Sequence, residues 1–172
     1  MSSITALATA NTYQSANVSN LANAYTDTSS STYGIYSPVF VGYSWLKLSG
    51  FSFASVPDNA TINSITYKMK ANSSANGWTF YISAKINGST KATKTYSTTT
   101  AATIYTLTVT NSTTVADLKA NPSNNFFYFT QAAASTNIRI YGLEIIVDYT
   151  EAPSFDPKPF FHAQYLKCFG GM

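Results

Sequence analysis

Hydrophobic positions along this chain recur mostly every second residue, the spacing of half-buried strands. The longest organised stretch is residues 45–71, WLKLSGFSFASVPDNATINSITYKMKA. Trp45, Leu46, Leu48, Phe51 and Phe53 make an apolar first strand, and residues 54–59 form a proline-containing loop. Ile65, Tyr67 and Met69 then alternate with Thr66, Lys68 and Lys70 in a second strand. The rest of the chain reads as further strands packing on this pair.

Trp78, Phe80, Ile82, Ala84 and Ile86 alternate with Thr79, Tyr81, Ser83 and Lys85, which predicts a strand with one buried face. Asn87-Gly88 is a two-residue hairpin signal, with residues 91–96 returning. Further strands are predicted over 104–109, 126–131 and 138–150. In the last of these, Ile138 and Ile140 share one parity, while Leu143, Ile145, Val147 and Tyr149 share the other. Gly142 lies at the switch, which predicts a β-bulge there. Residues 6–37 are polar and turn-rich and read as loops over a sandwich edge, with short strands near 4–8 and 33–36. One helical turn is predicted over 115–120, capped by Thr113 or Thr114 and stopped by Asn121-Pro122. The expectation is an all-β chain: a single jelly-roll-like antiparallel β-sandwich over residues 1–150.

After Thr150 the pattern breaks. Residues 151–172, EAPSFDPKPFFHAQYLKCFGGM, carry Pro153, Pro157 and Pro159, which oppose sheet pairing. They also carry Phe155, Phe160, Phe161, Tyr165 and Phe169. A solvated tail is ordinarily poor in aromatics. An extended arm with these side chains needs a surface to bury them on, either its own sandwich or a neighbouring subunit.

Composition supports the β reading. Only 10% of the 172 residues are charged, so Ser, Thr and Asn supply the polar surface. The net charge is +3, and the ten basic residues do not cluster; the nearest approach to a patch is Lys85, Lys91 and Lys94 with Lys68 and Lys70. Nucleic-acid binders carry a denser basic face, so no nucleic-acid partner is expected. The first fifteen residues lack a basic n-region and an apolar h-region, and no apolar run approaches a membrane span. The single cysteine, Cys168, rules out an internal disulfide and suits synthesis in a reducing cytoplasm.

Candidate chemistry is sparse. Glu144 and Asp148 share the outward face of one strand but stand about 13 Å apart, too far for a glycosidase pair, and read as solvated. His162 is the single histidine and lies in the arm, six residues from Cys168. A catalytic device there would lack an enclosed site. No ligand set for zinc and no phosphate loop is present; Asp27 with loop carbonyls is a weak calcium signal. The reading is therefore non-enzymatic, with no cofactor. Tyr25, Tyr33, Tyr36 and Tyr43 are candidates for stacking on sugars, since their rings are flat and amphipathic.

Two segments carry a resemblance. Leu48-Ser-Gly-Phe-Ser-Phe53 followed by Val56-Pro-Asp-Asn-Ala-Thr-Ile-Asn-Ser-Ile65, with the closing strand over 141–150, resembles a recurring pattern of tailed-bacteriophage virion proteins. The likeness extends over roughly residues 20–150. It implies a jelly-roll module of the capsid-decoration or tail and baseplate accessory type, made in the host cytoplasm and assembled into the virion. Its partners would be neighbouring copies and other capsid or tail subunits, in a homo-oligomer; the arm, which lies outside the resembling segments, would dock it by burying Phe155, Phe160, Phe161, Tyr165 and Phe169. The alternative is a carbohydrate-binding module for adsorption to a host-surface glycan. Neither reading calls for a membrane.

Overall fold

The computed structural model describes residues 1–39, 44–109, 113–131 and 137–153. Among these residues eleven strands are arranged in two antiparallel sheets. They are β1 (Ser2–Leu7), β2 (Ala10–Gln14), β3 (Ala16–Ser19), β4 (Gly34–Pro38), β5 (Trp45–Ser49), β6 (Thr61–Ser73), β7 (Thr79–Ile86), β8 (Ser89–Ser97), β9 (Thr103–Val109), β10 (Phe126–Gln131) and β11 (Ile138–Thr150). A single short helix, α1 (Val115–Lys119), is the one α-helix among the described residues.

One sheet has six strands. Its order is β3-β4-β11-β6-β9, and β1 pairs with β11 beyond the end of β4. The other has five, ordered β2-β5-β10-β7-β8. Between them lies one core. Tyr67, Met69, Leu107, Ile145 and Val147 enter from the first sheet, and Leu46, Leu48, Phe80, Ile82, Phe127 and Phe129 from the second. Aromatic edges lock the layers together. The Phe80 ring meets Tyr105 of the opposite sheet at 4.8 Å and 87°, and Phe129 meets Tyr36 at 5.3 Å and 86°, the geometry that ring quadrupoles favour. The chain is thus an all-β, jelly-roll-like sandwich.

Local signals are confirmed at three places. Asn87 and Gly88 both take positive φ, 48° and 75°, as a tight hairpin between β7 and β8 requires. Thr114 caps α1. Its hydroxyl accepts from the Asp117 N–H at 3.1 Å, and the Asp117 carboxylate accepts from the Thr114 N–H at 3.2 Å. The register of β11 against β6 shifts between Ile140 and Gly142, where the parity change predicted a bulge.

Other expectations are corrected. β5 and β6 do not pair: β5 lies between β2 and β10, while β6 lies between β11 and β9 in the opposite sheet. The loop between them is a crossover from one layer to the other. β5 ends at Ser49, and Phe51, Phe53 and Val56 are buried from the loop itself. Gly50 makes the corner with φ +80°, and a Cβ there would meet the Thr9 hydroxyl. Residues 10–14 and 16–19, read as loops, form the edge strands β2 and β3. Their polar sequences gave no apolar alternation because edge strands bury little.

Glu144 is also corrected. It is 7% exposed rather than solvated, because residues 26–30 lie across the outer face of the six-stranded sheet. The Leu143 N–H donates to the Thr26 carbonyl at 2.9 Å, the Thr28 hydroxyl donates to Glu144 at 3.0 Å, and Lys70 Nζ donates to the Ser30 carbonyl at 2.9 Å. Gly142 makes this approach possible: a Cβ there would lie 1.9 Å from the Asp27 carbonyl oxygen.

Candidate functional site

The five-stranded sheet turns its second face away from the core, and the alternation of each strand decides what appears there. In β5, Leu46 and Leu48 point inward, so Trp45 and Lys47 point out. In β10, Phe127 and Phe129 point in, while Phe126, Tyr128 and Thr130 are half-buried on the outside. In β7, the inward set of Phe80, Ile82 and Ala84 leaves Tyr81, Ser83 and Lys85 outside.

Strand register assembles these into rows. One row runs Gln14, Trp45, Thr130, Tyr81, Thr95, and the next runs Thr12, Lys47, Tyr128, Ser83, Thr93. The Trp45 and Tyr128 rings lie 5.5 Å apart with their planes tilted by 31°. Trp45 Nε1 donates to Gln14 Oε1 at 2.7 Å, which restrains the indole against β2. Tyr81 is 40% exposed and stands two strands from Trp45, about 9.6 Å across the sheet. The Ser83 and Thr93 hydroxyls are bonded to one another at 2.9 Å. Lys47 and Lys85 both lie over the Phe126 ring, with Nζ at 4.1 and 5.9 Å from its centroid. Burial raises the Tyr128 hydroxyl pKa, and a hydrogen bond with Thr130 opposes the shift. The result is a pair of close, mutually tilted aromatic rings edged by hydroxyl, amide and ammonium groups.

This arrangement can bind a flat, hydroxyl-rich molecule by stacking and lateral hydrogen bonds. Among the described residues no group of three His, Cys, Asp or Glu side chains comes together as metal ligands would. Asp27, the weak calcium candidate, accepts instead from the N–H and hydroxyl of Ser29, at 2.8 and 2.5 Å. A cleft of about 340 Å³ lies beside α1, lined by Ser52, Phe53, Ala54, Asp58, Leu118 and Lys119. Its charges are paired, Lys119 to Asp58 at 2.5 Å.

The four tyrosines singled out from the sequence do not form one platform. Tyr36 is wholly buried against Phe129 and cannot stack on a ligand, because β4 directs it inward. Tyr25 is half-buried against the core, and its hydroxyl accepts from the Asn11 side chain. Tyr33 lies on the outer face of the other sheet, edge-on to Tyr141 at 5.2 Å with Arg139 over its ring. Tyr43 lies outside the described residues, as do Phe155, Phe160, Phe161, Tyr165 and Phe169 of the arm.

Sequence reasoning placed Trp45 among the apolar core positions and did not single out Tyr128. The available signal was parity: Trp45 is out of phase with Leu46 and Leu48. Trp78, placed in phase with the core, is 41% exposed beyond the start of β7. The suggested lysine patch is divided as well, since Lys68 and Lys70 belong to the six-stranded sheet and Lys85, Lys91 and Lys94 to the five-stranded one.

No protein-family model matches the chain, and no curated protein matches it. Among solved structures, the C-terminal CBM6 of LamC, a marine laminarinase from Zobellia galactanivorans, aligns with a TM-score of 0.48 at 12% identity, over 86% of this chain and 100% of that one. The CBM22-1 xylan-binding domain from Paenibacillus barcinonensis Xyn10C aligns at 0.46 and 12%, over 87% and 94%. The carbohydrate-binding module CBM6cm-2 of Cellvibrio mixtus lichenase 5A, in complex with cellotriose, aligns at 0.45 and 14%, over 83% and 95%.

Proposed function

We propose that this domain is a non-catalytic glycan-binding module that takes its ligand on the outer face of the five-stranded sheet. The observation that carries this reading is the Trp45–Tyr128 pair, two half-buried rings 5.5 Å apart and tilted by 31° on the outer face, with the indole also tied to Gln14 by a hydrogen bond. Amphipathic rings in this setting give apolar contact to a sugar face while neighbouring Gln14, Thr12, Ser83 and Thr130 meet its hydroxyls. The platform is borne on strands rather than loops, so little ordering entropy is lost on binding.

The test is titration of the full chain with soluble β-glucans, xylan and polygalacturonate, followed through tryptophan fluorescence in a Trp78→Phe background. A saturable change in Trp45 emission is expected, and since Trp45→Ala removes the last tryptophan of that background, calorimetric titration of Trp45→Ala should show the binding lost. A folded protein that binds none of these glycans would count against the reading.

We also propose a setting for the module, as a surface subunit of a tailed-phage particle. This rests on the sequence resemblance over 48–65 and 141–150. Host adsorption would unite the two readings, with the arm docking onto other virion subunits and the sheet face turned toward the cell. Removing residues 151–172 should leave a soluble domain that no longer enters particles; normal incorporation of the shortened chain would remove this reading.

A further inference from the structure

We infer that the glycan recognised by the outer face of the five-stranded sheet is acidic, a polysaccharide whose sugars carry carboxylates. This rests on the glycan-binding reading above and adds the charge of the ligand to it.

The observation is an asymmetry between the two sheets. The five strands ANTYQ, WLKLS, TFYISAKI, STKATKTYS and FFYFTQ carry no Asp or Glu; of their lysines, Lys47 and Lys85 stand on the outer face, whereas Lys91 acts on Asp117 of α1 and Lys94, registered against the inward Ile82, lies over Tyr96. Carboxylates of the described residues lie elsewhere: Glu144 and Asp148 on β11, Asp27 and Asp58 in loops, Asp117 on α1, and Glu151 after β11. Away from this face, lysines meet carboxylates, Lys68 with Glu144 at 3.8 Å and Lys119 with Asp58 at 2.5 Å. On the face, Lys47 and Lys85 are drawn together over one ring, that of Phe126, and neither has a carboxylate partner among the described residues. Two like charges gathered on an aromatic surface with no carboxylate partner among the described residues favour an anionic ligand.

Position links this charge to the stacking platform. Lys47 is the registered cross-strand partner of Tyr128, so the two side chains rise side by side, about 5 Å apart at Cβ. Lys47 also follows Trp45 by two residues on the same face, about 6.6 Å along the strand. A sugar ring stacked on Trp45 and Tyr128 therefore brings a ring carboxylate within reach of the Lys47 ammonium, and the next sugar toward Phe126 within reach of Lys85. The face has no arginine; Arg139 lies on the other sheet. Lysine ammonium groups meet an anion as point charges rather than through a bidentate fork, so the stacking platform beside them is what points to a sugar carboxylate. Single-stranded nucleic acid also stacks on aromatics, but a net charge of +3 falls short of the dense basic track that a phosphate backbone selects.

The experiment measures affinity of the full chain for four probes: polygalacturonate, its fully methyl-esterified form, dextran sulfate, and the oligonucleotide dT20. Polygalacturonate should bind roughly tenfold or more tighter than the methyl ester, with affinity falling as salt rises. The double variant Lys47→Gln/Lys85→Gln should lose roughly tenfold for polygalacturonate, whereas Lys68→Gln on the other sheet should not. Equal binding of polygalacturonate and its ester, insensitive to the double variant, would overturn the acidic ligand while leaving the glycan-binding reading intact. Tighter binding of dextran sulfate or dT20 than of polygalacturonate would also overturn it, in favour of a general polyanion or nucleic-acid surface. No binding of any glycan by the folded chain would remove both.

Discussion

Trp45 and Tyr128 are separated by more than eighty positions in the chain, yet their rings lie 5.5 Å apart on neighbouring strands, tilted by 31°, on the side of the sheet that faces away from the core. Neither ring is needed to fill the sandwich, whose interior on this side is built by Leu46, Leu48, Phe127 and Phe129. That separation of duties within single strands makes the two roles experimentally distinct.

Trp45→Ala should therefore weaken glycan binding strongly while lowering stability by only ~1 kcal/mol, the scale of an exposed cross-strand pair. Leu46→Ala, one position away and fully buried, should cost about 2–5 kcal/mol. Urea unfolding of both variants, beside a binding titration of the first, checks this. A loss of several kcal/mol in Trp45→Ala would mean that the ring belongs to the core.

Gly142 is where the segment 26–30 touches β11. Adding a methyl there would drive a carbon to 1.9 Å from the Asp27 carbonyl oxygen, a backbone atom that cannot swing aside. Gly142→Ala should destabilise by about 1–3 kcal/mol, the usual cost of overpacking. It should also loosen the Leu143 N–H bond to the Thr26 carbonyl. Faster hydrogen exchange at the Leu143 amide, with β5 and β10 amides unchanged, is the expected signature.

The Tyr36 hydroxyl is buried and has no hydrogen-bond partner among the described residues. Burial pushes its pKa upward, with a smaller contribution from Tyr128. A buried, unsatisfied hydroxyl costs about 1–3 kcal/mol, and its ring makes the useful contact with Phe129. Tyr36→Phe should keep that contact and leave stability equal to or up to ~1 kcal/mol above the parent. A clear drop in the urea midpoint would contradict this.

Asp117 titrates below the ordinary carboxylate value of 3.8, held down first by the Thr114 N–H and then by the Thr114 hydroxyl. A depressed folded-state pKa means that the ionised form stabilises the fold. Its contribution is complete above the unfolded value and is lost as pH falls through the folded one. Thermal melts from pH 5 down to pH 2 should thus show falling stability below about pH 4. Thr114→Ala should cost ~1 kcal/mol at neutral pH and flatten part of the acid decline. An identical acid slope in the two proteins would show that the capping box is not its source.

Much of the fold is legible in the sequence. Alternation located β7, β9 and β11 because each buries one face, and a buried face tolerates only apolar side chains at every second position; β10 was legible from its run of aromatic residues instead. The Asn87-Gly88 turn, the Thr114 cap and the Gly142 bulge were legible because each depends on the backbone chemistry of one or two residues. β2 and β3 were not, since an edge strand that buries little leaves no period in its sequence.

Which strands become neighbours was beyond local pattern. Residues 45–71 read as a pair of strands, and the tertiary structure divides them between two sheets. Alternation says that a side chain is in or out; it does not say which layer holds the strand. The candidate face shows the same division. The sequence alone determined that Lys85 points away from a core, because it alternates with apolar Ala84 and Ile86, but it set Trp45 with the apolar positions and left Tyr128 unmarked. Only the tertiary structure decided that Trp45, Lys47, Tyr128 and Lys85 point away on the same sheet and in adjacent rows. Register between strands distant in the chain is set by packing of the buried faces, and the outer face inherits its neighbours from that packing.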